Sequence, residues 1–310
     1  MDFISELRQP TAWYSKLAII FLALAVFALL AVVTISGFMV YRMASPIRSH
    51  SGMNLQNFPG HPEALNFPVT GEGTLDGWFF PGFKSAPAIV LCPGYESSSA
   101  ELVTLASALQ EQHYNVLVFD FSAHGSTGGR SSLGYHEVTE LRAALDAIAT
   151  RGDVDAKRFG LWGANMGAYV ALAEASNDAR VRAVAAESPY EHPNAMVAIL
   201  LRRAGLGSVP LVTFTSQKIL GWLNPNSSGT MPLDKRIAKL SGVAQLYLQS
   251  PEEPILAAAT SDLFHVSPPP HELVVLQHGN YAGLPDDDKH TYENRIVSFF
   301  LTNLPISGGN

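Results

Sequence analysis

The chain has 310 residues, a formal net charge of −7, 47% hydrophobic and 15% charged residues, and one cysteine, Cys92. That length suits one large domain with a short extra segment better than two domains, and mild acidity without a long Lys/Arg run excludes the electrostatic footprint of a nucleic-acid-binding protein. A lone cysteine excludes an intrachain disulfide, and no Cys/His spacing resembles a zinc or iron–sulfur site, so the expectation is no metal and no cofactor.

From Leu17 to Tyr41 the chain is uncharged and apolar, bounded by Lys16 and Arg42. About 20 such residues cross a hydrocarbon core as a helix, so a transmembrane helix is predicted over 17–41 behind an N-terminal flank of 1–16. The run is too long for a signal-peptide core, and Pro46 follows the only small-residue pair, Ala44-Ser45, which favours a retained anchor over a cleaved signal. Trp13, Tyr14 and Tyr41 stand where interfacial aromatics would sit. Arg8 and Lys16 balance Arg42 and Arg48, so the charge bias favours neither orientation.

Residues 42–65 are polar, contain Gly, Pro and Ser and have no period, and read as a linker lifting a domain off the bilayer. The domain is expected over 66–305, with 306–310 as a tail. Short apolar runs predict strands at Leu75 to Phe80, Ala88 to Cys92, Asn115 to Phe121, Arg158 to Gly163, Val181 to Ser188, Ala244 to Gln249 and His271 to Gln277. Helical stretches are expected from Ala100 to Gln112, His136 to Thr150, Met166 to Ser176 and His290 to Leu304. This alternation predicts a mostly parallel sheet with helices on both faces. The interval 189–241 interrupts it with two apolar, helix-compatible stretches, MVAILLRRAGL and TFTSQKILGWL, and reads as an inserted helical cap.

Ligands of open α/β sheets bind where strands end and helices begin. Those turns read LCPGYESSSAEL (Leu91 to Leu102), FDFSAHGSTGGRSSLGY (Phe119 to Tyr135) and GLWGANMGAYVAL (Gly160 to Leu172). Together they resemble the α/β-hydrolase superfamily, close to its bacterial prolyl-oligopeptidase-like and serine-aminopeptidase-like branch, over roughly Asn66 to Leu304. The resemblance implies an α/β-hydrolase fold with a helical cap insertion, here preceded by one transmembrane helix.

It also implies site positions. The family's nucleophile elbow, G-x-S-x-G, aligns with Gly163-Ala164-Asn165-Met166-Gly167, so the elbow is present and its serine is replaced by Asn165. An amide has no ionisable group and cannot form an acyl-enzyme. The family's histidine aligns with Asn280, which cannot take a proton near neutral pH, while His278 two residues earlier is a candidate displaced base. The family's acid aligns with Glu253, which reads as a solvated loop carboxylate. The oxyanion-hole donors would be the backbone N–H groups of Tyr95 and Met166, which side-chain replacement does not remove. His124 aligns with a structural histidine of the family. Asp286, Asp287 and Asp288 are expected to favour a helix N-terminus rather than hold a metal.

These replacements favour a catalytically impaired pseudoenzyme held at a membrane by its N-terminal helix, binding a small-molecule, acyl or peptidic ligand or a partner in a hydrolase-type pocket. The alternative is an active esterase or peptidase with another nucleophile, Ser98 or Ser188, brought near His278. A minor reading takes GLWGANMG as a dinucleotide-binding turn, with Glu187 as the ribose contact.

Overall fold

Long apolar stretches without polar interruption set the layout. In the computed structural model, residues 13–48, 55, 58–71, 73–224, 227, 229–277 and 280–306 are described. The first element is helix α1 (Trp13–Ala44), followed by strands β1 (Glu63–Val69), β2 (Gly73–Phe80) and β3 (Ala86–Cys92). Then come α2 (Val103–Glu111), β4 (Asn115–Phe119), α3 (Glu137–Ala149), β5 (Val154–Ala164), α4 (Met166–Ala175) and β6 (Val181–Glu187). Within 189–241 lie α5 (Pro193–Arg203), α6 (Pro210–Leu223) and the short α7 (Leu233–Arg236). The chain closes with β7 (Ala244–Gln249), α8 (Pro254–Val266), β8 (His271–Val275) and α9 (Asp286–Asn303).

The eight strands form one sheet in the order β1-β2-β4-β3-β5-β6-β7-β8. Strands β1, β2 and β4 pair antiparallel, and every pairing from β4 through β3 to β8 is parallel. The central strands are apolar throughout because both of their faces are covered. In β3, Val90 joins one core with Leu117, Leu161 and Leu141 of α3, while Ile89 and Leu91 join the other with Leu105 of α2 and Phe300 of α9. Successive side chains of one strand thus feed opposite layers.

Two elements differ from the expectation. Strand β1 begins at Glu63, inside the stretch read as linker, and Leu55 is also buried in the core. Helix α8 lies in a stretch for which the sequence reading names no element.

Helix α1 is long and apolar enough to cross a membrane. It does not hand over to a spacer that keeps the domain away from it, as the reading of 42–65 expected. Ser36, Val40, Met43 and Ala44 are buried, and Val32 and Met39 pack on the core, a stripe at helical spacing that faces the domain. The Ser36 hydroxyl donates to the Val212 carbonyl of α6 (3.3 Å). At the end of the helix, the carbonyls of Met43 and Ala44 accept from the Tyr95 hydroxyl (3.0 Å) and the Ser131 backbone N–H (2.9 Å). Two of the carbonyls that a helix C-terminus leaves open are therefore closed by the domain itself.

Candidate active site

The site is built at the C-terminal edge of the sheet, where β5 turns sharply into α4. Asn165 stands at the apex with φ +37° and ψ −98°, a backbone conformation that a side-chain-bearing residue adopts only when its surroundings enforce it. Gly163 and Gly167 enforce it here by close approach. A Cβ on Gly163 would lie 2.4 Å from the Gly167 carbonyl carbon, and one on Gly167 would lie 2.1 Å from the Cys92 carbonyl oxygen.

The Tyr95 loop is held from below. Asp120, at the end of β4, accepts from the backbone N–H of Ser99 (2.7 Å) and of Ser126 (3.1 Å), joining the first two turns. His124 donates from Nδ1 to the Ser122 carbonyl (2.9 Å) and meets the Tyr95 ring edge-on at 5.8 Å. Burial pushes its pKa down, partly offset by that backbone bond and nearby carboxylates, so the ring is neutral at pH 7. It packs beneath the site rather than acting in it.

The two backbone donors expected of an oxyanion hole converge, and they converge on Asn165 itself. Its Oδ1 accepts from the Tyr95 N–H at 2.7 Å and from the Met166 N–H at 2.5 Å. The same oxygen caps the N-terminus of α4. The Asn165 amide carbonyl thus takes up both backbone donors that the family resemblance implies for an oxyanion hole. Replacing Asn165 by Ala is expected to cost about 1–2 kcal/mol, from the lost cap and two donors left to water. Thermal unfolding of the purified chain reads that loss, and an unchanged Tm would show that the two bonds carry no stability.

The other aligned positions make their hydrogen bonds and ion pairs with other partners. Glu253 pairs with Arg203 of α5 (2.5 Å), so it is an ion-paired residue at the start of α8 rather than a free loop carboxylate. Arg203 is exposed and Glu253 half-buried, and pairs at the surface contribute under about 1 kcal/mol. Asn280 is exposed and accepts from the Gly283 backbone N–H (3.3 Å), capping the short 3₁₀ turn Tyr281–Gly283. His278 lies outside the described residues. The hydroxyls of Ser98 and Ser188 are buried and have no hydrogen-bond partner among the described residues. Asp286, Asp287 and Asp288 occupy the first turn of α9, where the helix dipole favours them.

Glu187, read from the sequence only as a ribose contact, points elsewhere. It is fully buried at the end of β6, accepting from the Tyr292 hydroxyl (2.6 Å) and from the Tyr281 backbone N–H (3.1 Å). Tyr292 in turn accepts from the Trp162 indole (2.9 Å), and Tyr281 donates to Glu293 (2.7 Å). Burial pushes the Glu187 carboxyl up to about 7, only partly opposed by the two hydrogen bonds it accepts. The carboxylate is enclosed in the layer behind the elbow and out of a nucleotide's reach. The sequence signal was an acid ending the apolar strand VRAVAAE.

Residues 87–228 match the family model for the α/β hydrolase fold. An esterase from Pyrococcus furiosus superimposes with a TM-score of 0.64 at 20% identity, over 84% of this chain and 98% of that one. The chain is an α/β-hydrolase-fold protein. A second α/β hydrolase, from a Penicillium species, gives a TM-score of 0.60 at 21% identity over 78% of this chain and 99% of its own.

Among curated proteins, a thiohydrolase from Eupenicillium brefeldianum is 32% identical over 120 residues, 37% of this chain. An uncharacterised protein of Mycobacterium tuberculosis is 34% identical over 100 residues, 32% of this chain. The aligned stretches span only 39% and 35% of those relatives' own lengths. An uncharacterised Escherichia coli protein aligns more widely, at 24% identity over 79% of this chain and 83% of its own. Within this hydrolase fold, strand order places Asn165 after β5, Glu253 after β7 and Asn280 after β8.

Proposed function

We propose that this chain is a membrane-anchored hydrolase-fold pseudoenzyme, a scaffold that binds an acyl-type ligand or a partner beneath its cap without cleaving it. The observation that carries the reading is the Asn165 Oδ1 held by the Tyr95 and Met166 N–H groups. Where a hydrolase needs a nucleophilic oxygen below and an empty pair of donors above, this chain supplies a non-nucleophilic amide that uses the donors itself. Loss of a serine hydrolase's Ser or His alone costs on the order of 10⁶ in turnover, and loss of both costs little more because the pair acts as a unit. A ligand carbonyl would have to displace the Asn165 side chain to reach the hole.

Membrane attachment is supported by the length and apolar character of α1. An acyl-type ligand is favoured by two fungal relatives, one named a thiohydrolase and one a polyketide transferase.

The deciding experiment restores the missing groups. Asn165→Ser combined with Asn280→His is assayed on a p-nitrophenyl ester beside the parent chain. The parent should show background hydrolysis only and take no stoichiometric label from a fluorophosphonate probe, and the double variant should exceed it at least tenfold. Stoichiometric labelling of the parent, or parent turnover that survives Asn165→Ala, would mean that a different nucleophile is at work.

A further inference from the structure

The contact between α1 and the cap reaches deeper than the polar end of the helix. Leu17 to Leu30 are exposed on every side, which is about 21 Å of helix at 1.5 Å per residue. A hydrocarbon core of about 30 Å needs more than that. The remainder falls on the next turns, where Val32 and Ser36 already meet the domain and Ser36 bonds to Val212 of α6. Ser36 lies about 9 Å along the helix from Arg42, the first charge after the apolar stretch. With α1 across a bilayer, the start of α6 therefore lies at the level of the acyl chains.

The exposed surface of α6 suits that level. Leu211, Phe214 (57% exposed) and Trp222 (80% exposed) project from it, and Lys218 extends its ammonium over the Phe214 ring, as a snorkelling lysine does. Between the two helices lies a cavity of about 370 Å³, lined on its apolar side by Val40, Tyr41, Leu220 and Leu223. Arg130 and His136 line its polar end, and among the described residues no carboxylate lines it. The Arg130 loop is fixed: Glu137, buried beneath it, accepts from the Ser131 hydroxyl and from the backbone N–H groups of Ser132 and Gly134. Arg130 itself is exposed and forms no salt bridge among the described residues.

We propose that this groove is a binding site for an anionic membrane lipid, with its head-group phosphate on Arg130 and the upper part of one acyl chain against Val40, Leu220 and Leu223. The proposal rests on the membrane reading of α1. The volume is at the lower end of ligand pockets, which fits a head group and part of one chain rather than a whole diacyl lipid. The guanidinium supplies the charge complementarity and the fork geometry that a phosphate accepts. The groove also abuts the elbow, because Ser131 at its inner end contacts the Met166 sulfur (3.6 Å) and Ala44 bonds to Ser131. A seated lipid would thus lie one side chain away from the donors that hold Asn165.

The test uses the full chain in detergent, incubated with equal amounts of phosphatidylglycerol and phosphatidylcholine of matched acyl chains and examined by native mass spectrometry. The parent should retain phosphatidylglycerol at least fivefold over phosphatidylcholine. Arg130→Gln should bring that ratio close to one, and Leu223→Asp should lower retention of both lipids. Equal retention by the parent, or an unchanged ratio in Arg130→Gln, overturns the site. Competition by millimolar inorganic phosphate that abolishes phosphatidylglycerol retention would assign the groove to a free anion and also overturn the lipid. Flotation of all three proteins with phosphatidylglycerol vesicles reads the membrane reading separately: proteins that float without lipid preference lose only this site, and a parent that does not float loses both.

Discussion

Gly167→Ala is expected to destabilise the domain by about 3 kcal/mol, at the upper end of what overpacking costs. The new Cβ would lie 2.1 Å from the Cys92 carbonyl oxygen and 2.6 Å from that of Pro93, both backbone atoms. A flexible side chain could swing aside from such a contact, but Cys92 ends β3, a strand held between β4 and β5. Relief would require moving α4 off the sheet, which would pull Met166 from its bond to Asn165. Gly152→Ala is the control, because a Cβ there meets nothing within 4 Å, and surface changes of that kind stay within about 0.5 kcal/mol. Denaturant unfolding of the two variants beside the parent checks the pair. A Gly167→Ala midpoint equal to the control would mean that helix and strand approach less closely than described.

The same close approaches explain why the fold could be read from sequence. The strands of the parallel core are apolar on both faces, so VLVF and AIVLC stand out without any knowledge of their partners, and Gly163 and Gly167 mark the turn from β5 into α4. Strand β1 carries no such mark. It sits at the sheet edge, alternates only weakly, and contains Pro68, which an edge strand tolerates and a central strand does not. Helix α8 was hidden by Pro254 at its first turn, which reads as a loop residue until the following helix is known. At the site, the asparagine at the apex of the G-x-x-x-G turn was legible, since it needs only the spacing of Gly163 and Gly167. The destination of the Asn165 amide was not. It depends on the Tyr95 loop and the α4 N-terminus presenting two N–H groups to one oxygen, a contact across 70 positions of chain. The docking of α1 was hidden for a related reason: Val32, Ser36, Val40 and Met43 have the same apolar or small character as their exposed neighbours, so composition could not separate the two faces.

Stability should fall by about 3 kcal/mol as pH rises from about 4.5 to about 7, and Glu187 is the group responsible. In the unfolded chain its carboxyl titrates at the ordinary 4.5, and in the fold burial pushes it up to about 7. Below the lower value both states hold the proton and the folded form keeps its full contribution. Between the two values the folded state holds a proton that the unfolded state has lost, so each step up in pH favours unfolding. Above the upper value both are ionised and the contribution is gone; at 1.36 kcal/mol per unit this is the stated loss. Denaturant midpoints at pH 5 and pH 8 measure it. In Glu187→Gln, where no proton can leave, the share of the difference due to this group should disappear. A parent–variant difference that stays constant between the two pH values would show that Glu187 is not raised. The consequence reaches the site, because the Glu187 carboxylate holds the Tyr281 N–H beside Asn280 while its own backbone carbonyl holds the Asn165 N–H (2.8 Å). Asn165 and the residue after Asn280 are therefore both bonded to one buried acid, whose carboxyl burial pushes up to about 7.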